Sequence, residues 1–237
     1  MKEFKYRHFQ GEIILWAVRW YCRFGISYRD LEVMMGERGV SVDHSTVYRW
    51  VQCYAPKMKK KLQKYWKHSF SGTFKVDETY LKVKGKWCYL YRAIASQGKT
   101  VEFYLSPTRN AKAAKRFLGK AMRLLKKQSL PKAINTDKSS CYPKALKELT
   151  KESQYWKNLE HRQVKYLNNP VESDHAKLKR LIKPTTGFKS MKTAHATIQG
   201  FEVMLMFRKG QMTPWTDALG EGGEVRLVNQ VFGIHAS

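Results

Sequence analysis

The hydrophobic period of this chain changes once, near residue 72, and that change bounds the fold. Upstream, Ile13, Ile14, Ala17, Val18 and Tyr21 recur at helical spacing. Gly25 stops this first helix, and Ser27 is placed to cap a second, Tyr28 to about Met35, with Leu31 and Met34 facing inward. After a turn at Gly36 and Gly39, Asp43 or Ser45 can cap a third helix through Val47, Trp50, Val51 and Tyr54, expected to end before Pro56.

Downstream the period falls to two. Thr73 to Val83 alternates as a strand, Lys84-Gly85-Lys86 is a turn, and Trp87 to Ala95 and Thr100 to Leu105 read as two more strands of an antiparallel meander. An amphipathic helix is expected over 110–127, using Ala113, Ala114, Phe117, Leu118, Met122 and Leu125. A short buried strand then ends at Asp137, followed by a helix at 143–150, a strand near 161–167, and helices over 170–182 and 191–209. Three antiparallel strands, then helix, strand, helix, strand and helix, is the order of a ribonuclease H-like fold. The expected class is α/β: a mixed-sheet catalytic core over 66–210, preceded by an all-α region over 1–65 and followed by a less regular tail over 211–237.

The chain carries 45 lysines and arginines against 19 acids, a net charge of +26, far beyond what solubility requires. A field of that sign attracts polyanions, nucleic acid above all. The four cysteines form no C-x-x-C pair, which argues against a zinc finger and for free thiols. No apolar run reaches the ~20 residues of a membrane span, and the first residues lack a signal-peptide core. A soluble, cytoplasmic, nucleoid-associated protein is expected.

Pattern alone does not separate a helix-turn-helix from a three-helix bundle with a solvated polar face. The lysines at 57, 59, 60, 61 and 64 favour DNA, and make His44, Ser45, Thr46, Tyr48 and Arg49 the candidate base-reading residues of a recognition helix.

Three acids stand where solvation alone does not explain them. Asp77 is mid-strand, where a carboxylate is costly unless paired or bound to a cation. Asp137 ends an apolar strand, and Glu172 lies in the first turn of a helix opened by Pro170. Singly, each has an ordinary alternative as turn former or helix-start charge. Together they make an oxygen-only site suited to Mg²⁺ or Mn²⁺. Glu78 should point to the other face of its strand. Glu172-Ser173-Asp174-His175 contains a Glu-x-x-His di-iron pattern, but that use needs a second copy on a helical bundle. Asp174 and His175 are therefore read as supporting or surface groups.

The 34 residues from 138 to 171 separate Asp137 from Glu172, an interval that resembles the acid triad of insertion-sequence transposases and retroviral integrases. Longer strings resemble, more narrowly, bacterial DDE transposases of the insertion sequence six group: Asp77-Glu78-Thr79-Tyr80, Tyr89-Leu90-Tyr91-Arg92-Ala93, Asn135-Thr136-Asp137-Lys138, Asp174-His175-Ala176-Lys177-Leu178-Lys179-Arg180 and Gly187-Phe188-Lys189-Ser190. Pro170 departs from the pattern, which has an aliphatic residue there. The resemblance implies metal-dependent cleavage and strand transfer of DNA, with Asp77, Asp137 and Glu172 holding two Mg²⁺ or Mn²⁺ ions. It also implies a basic residue near the site, Lys179, beside which Lys177 and Lys183 are candidate phosphate contacts. It further implies binding to the element's terminal repeats and to target DNA, at least a dimer in the active complex, and cointegrate products. A catalytically inactive DNA-binding regulator and a metal nuclease that cuts without joining are the alternatives.

Overall fold

A computed structural model describes residues 2–4, 8–66, 70, 72–123, 125, 130–185 and 187–234. The chain divides into two compact units, residues 1–66 with 178–237, and residues 67–177.

The first unit is helical. It comprises α1 (Gly11–Arg23), α2 (Tyr28–Gly36), α3 (His44–Trp66) and, from the C-terminal part of the chain, α8 (Met191–Arg208), α9 (Thr213–Ala218) and α10 (Gly223–Val231). Ser27 caps α2 in a reciprocal box with Asp30. Asp43 caps α3, accepting from the backbone N–H of Ser45 at 2.9 Å and of Thr46 at 3.0 Å. The inward residue of α2 beside Leu31 is Met35, not Met34. Pro56 does not end α3. Met58, Leu62 and Trp66 continue its buried stripe, and burial of that face outweighs the one backbone hydrogen bond a proline removes. The lysines from 57 to 64 thus lie on a helix, not a linker.

α8 is buried nearly all round, with Ile198, Phe201, Met204 and Leu205 almost wholly enclosed, as befits a central helix. It packs on α3 and α1. Gly200 makes the close approach possible: a Cβ there would collide with Cys22 and stand 2.9 Å from the Cβ of Ala55. Residues 178–210, expected with the catalytic core, therefore group with the N-terminal helices. Residues 213–231, expected as an irregular tail, hold α9 and α10. α10 is tied to α1 by Arg19 and Arg23, both paired with Glu224, the former at 2.7 Å.

The second unit is a five-stranded mixed sheet in the order β3-β2-β1-β4-β5, where β1 is Thr73–Val83, β2 Lys86–Ile94, β3 Thr100–Ser106, β4 Ala133–Asn135 and β5 Glu160–Arg162. The β1–β2 and β2–β3 pairs are antiparallel; the β1–β4 and β4–β5 pairs are parallel. This order, with its helical crossovers, is the ribonuclease H-like topology. Lys84 (φ 51°) and Gly85 (φ 73°) close the β1–β2 hairpin, both left-handed as a two-residue turn of matching twist requires. α4 (Ala111–Arg123) follows β3, α5 (Cys141–Leu149) and α6 (Gln154–Asn158) lie between β4 and β5, and Phe74, Val76, Tyr91, Phe117, Ile134 and Tyr142 form part of the core beneath α4 and α5. The expected helix end at 124–127 falls largely outside the described residues. β5 is shorter than the expected 161–167 strand: a 3-10 turn, Lys165–Asn168, leads directly into α7 (Asn169–Ile182).

Candidate active site

Strand alternation sends adjacent side chains of β1 to opposite faces. Asp77 lies on the face toward α7, where its Oδ2 is 3.7 Å from Nδ1 of His175. Glu78 lies on the other, accepting a hydrogen bond from the Tyr142 hydroxyl and pairing with Arg109. Asp137 follows β4 and meets the same arginine, Nη2 to Oδ2 at 3.3 Å. Burial alone would lower the Arg109 guanidinium pKa; Glu78 and Asp137 reverse this and raise it. Glu172 sits exposed in the first turn of α7, where Pro170 is tolerated because the first helical N–H groups have no intrahelical partner.

The charges of the other two acids bear on Asp77. The Asp77 carboxyl is pushed up to about 7, first by burial, then by the charge of Glu78, with Asp137 and Glu172 adding to it. Among the described residues no three His, Cys, Asp or Glu side chains are gathered closely enough to hold a metal ion as they stand; Asp137 is turned toward Arg109. The donor chemistry nevertheless fits a hard divalent cation: carboxylate oxygens only, with Asp77 made costly to ionise first by burial and then by its like-charged neighbours.

A buried amide bridge joins the three segments that carry these acids. Asn135 donates through Nδ2 to the Val164 carbonyl at 2.9 Å and to Oδ1 of Asn168 at 2.6 Å. Asn168 donates in turn to the Val76 carbonyl at 3.3 Å. Val76 precedes Asp77, Asn135 stands two residues before Asp137, and Asn168 four before Glu172. Next to it, the side chain of Arg92, wholly buried and paired in register with Asp77, forms a 2.7 Å ion pair with Asp174 on α7. Asp174 and His175 are thus buried supports of α7, not surface groups. Sequence reasoning missed Arg109, Asn135, Asn168 and the Arg92–Asp174 pair. The signal for the last was half present: Arg92 is a charge set between Tyr91 and Ala93 in an apolar strand, whereas Asp174 stands between Ser173 and His175.

The candidate DNA contacts are dispersed. His44 is exposed and 2.9 Å from Glu32; Ser45 and Thr46 have their hydroxyls engaged by Asp43; Tyr48 packs edge-on to Tyr28; Arg49 is exposed and donates to Ser45. The connection from α2 to α3 spans residues 37–43, longer than the 3–4-residue turn of a compact helix-turn-helix. Lys177, Lys179 and Lys183 are exposed along and just beyond α7, with Lys179 two turns from Glu172.

A mixed sheet of this order bearing strand-borne and helix-borne acids defines the class of DDE-domain enzymes, and a family model described as a DDE domain, of the IS240 transposase type, matches residues 71–211. Over 215 residues, the chain is 37% identical to the transposase for the insertion sequence-like element IS431mec of Staphylococcus aureus strain Mu50, and equally to that of IS257 in transposon Tn4003. Each alignment covers 89% of this chain and 91% of the relative. The chain therefore belongs to the insertion sequence six group of DDE transposases, enzymes of DNA transposition. Among solved structures, the HTLV-2 integrase catalytic core domain in complex with magnesium is similar over 56% of this chain and 84% of its own, at 16% identity and a TM-score of 0.43. The Mos1 strand transfer complex is similar over 86% and 73%, at 12% identity and a TM-score of 0.40. The fold assignment rests on the strand order and the family match. Family membership implies use of a divalent metal ion. Among the described residues no helix is long and apolar enough to cross a membrane.

Proposed function

We propose that Asp77, Asp137 and Glu172 are the acid triad of this transposase, holding Mg²⁺ or Mn²⁺, two ions per site, for cleavage and strand transfer at the ends of an insertion sequence. The observation that carries this reading is the buried Asn135–Asn168 amide bridge, which ties together the three segments that bear these acids. Divalent ions held there would supply the positive charge that phosphoryl transfer draws on. The three carboxylates hold and space that charge. Lys177, Lys179 and Lys183 bind backbone phosphates, and His44, Tyr48 and Arg49, with Ser45 and Thr46, meet the terminal repeat from the start of α3. Pairing two DNA ends calls for a homodimer or larger complex, acting at the nucleoid, and the product is a cointegrate. The organisation behind this is a DNA-reading helical region and a catalytic sheet.

Metal-dependent stabilisation tests the ligand set. A cation that binds the folded protein alone raises its Tm by mass action. Millimolar Mn²⁺ is expected to raise the Tm of the unaltered chain, with most of the rise gone in Asp77→Asn, Asp137→Asn and Glu172→Gln. Equal shifts in all four proteins would place the metal elsewhere.

A further inference from the structure

The far end of the β1–β2 hairpin has a surface that the acid site does not use. Tyr80 and Trp87 are 57% and 53% exposed, and they touch: ring centroids lie 5.0 Å apart at 88°. Lys82, the cross-strand partner of Trp87, places its ammonium 4.9 Å from that ring. Lys84 lies in the turn and Lys86 directly after it, both exposed. On the opposite face of the same strands Thr79, Leu81, Val83 and Cys88 are buried. No acid occurs between Glu78 and Glu102, and among the described residues none of Lys82, Lys84 and Lys86 forms an ion pair.

Large aromatics cost free energy when left in water, and adjacent unneutralised lysines repel; a surface that keeps both suits a ligand that is anionic and has flat apolar faces. A second copy of a chain of net charge +26 would be repelled by this patch. DNA supplies both features. Rings on which bases stack favour unpaired nucleotides over an intact duplex, which offers only phosphates and grooves. Tyr80 lies two residues beyond Glu78 on the same face of β1, about 7 Å at ~3.4 Å per residue, and Glu78 shares Arg109 with Asp137, so a strand end approaching Asp137 would reach it.

We infer that the β1–β2 hairpin is a DNA-binding surface on which Lys82, Lys84 and Lys86 take backbone phosphates and the Tyr80–Trp87 pair stacks on unpaired bases next to the cleaved end. This rests on the transposase reading. It is tested by fluorescence anisotropy of the full chain with a labelled single-stranded oligonucleotide, a blunt duplex and a duplex with a single-stranded overhang, between 50 and 200 mM salt (about the range over which phosphate contacts dominate). Tyr80→Ala/Trp87→Ala is expected to weaken single-strand and overhang binding about tenfold or more and to leave the blunt duplex within about twofold. Lys82→Gln/Lys84→Gln/Lys86→Gln is expected to weaken all three probes and flatten the log–log salt slope by about 2. Circular dichroism checks that both variants are folded. Variants that bind every probe like the unaltered chain would overturn the hairpin assignment alone. An unaltered chain that binds no DNA would overturn the transposase reading with it. Trp87-dependent self-association in sedimentation, with DNA binding unchanged, would make the patch a protein interface instead.

Discussion

Asn168→Ala is the substitution that most sharply separates a site built by the fold from one assembled by chance. The Asn168 side chain is almost fully buried and does two things: it accepts from Asn135 at 2.6 Å and donates to the Val76 carbonyl at 3.3 Å. Alanine leaves one buried N–H and one buried C=O without these partners. At roughly 1–3 kcal/mol for each stranded group, and with the longer bond toward the weak end, the loss is about 3 kcal/mol. Urea unfolding followed by circular dichroism reads it as a lower midpoint at unchanged slope for the transition of the sheet unit. The functional loss should exceed the stability loss. The bridge sets the spacing of the segments bearing Asp77, Asp137 and Glu172, and a misplacement near 1 Å can cost ~10²-fold in rate. Strand transfer at a temperature where the variant is folded should therefore fall about a hundredfold. A variant within ~0.5 kcal/mol of the unaltered chain that joins DNA at the normal rate would refute the reasoning.

Arg92→Met should destabilise the sheet unit by about 3–5 kcal/mol, because it strands the Asp174 carboxylate, while Arg92→Met/Asp174→Leu should recover most of that loss; a double variant as unstable as the single one would contradict the pairing. Gly200→Ala should lower Tm even though alanine is the better helix former by about 1 kcal/mol, since its Cβ meets Cys22 and Ala55; a raised Tm would show that α8 can move away. The Asp43 carboxyl is held well below its ordinary value of 3.8 by the hydroxyls of Ser45 and Thr46 and by their backbone N–H groups. A depressed folded pKa adds stability above the unfolded value and loses it as pH falls. The Tm gap between the unaltered chain and Asp43→Ala should accordingly be full at neutral pH and shrink only below about pH 4; a gap that grew on acidification would refute the cap.

Much of the catalytic unit was legible because a half-buried sheet writes its period into the sequence. β1, β2 and β3 fell where alternation put them, the Lys84-Gly85 turn included, and Asp77 and Glu78 face opposite sides as a period of two dictates. α3 was read short because a proline is a local signal, whereas the stripe through Met58, Leu62 and Trp66 that overrides it is tertiary. The helical neighbours of α8 were not legible for a related reason. A helix buried all round has no polar face to show which elements enclose it, and its partners lie far away in sequence. The three proposed carboxylates were singled out by type and spacing. The groups that brace the segments around them were not: Asn135, Asn168 and Arg92 matter through partners that only the folded chain supplies, and neutral amides carry no sequence signature when buried.

The most direct test of the central claim is in vitro strand transfer of pre-cut element ends into a plasmid, with Mg²⁺ or Mn²⁺ and with chelator, using the unaltered chain and Asp137→Asn. The account predicts joining that requires the metal and disappears in the variant while end binding persists. Joining that survives Asp137→Asn, or proceeds in chelator, would contradict it.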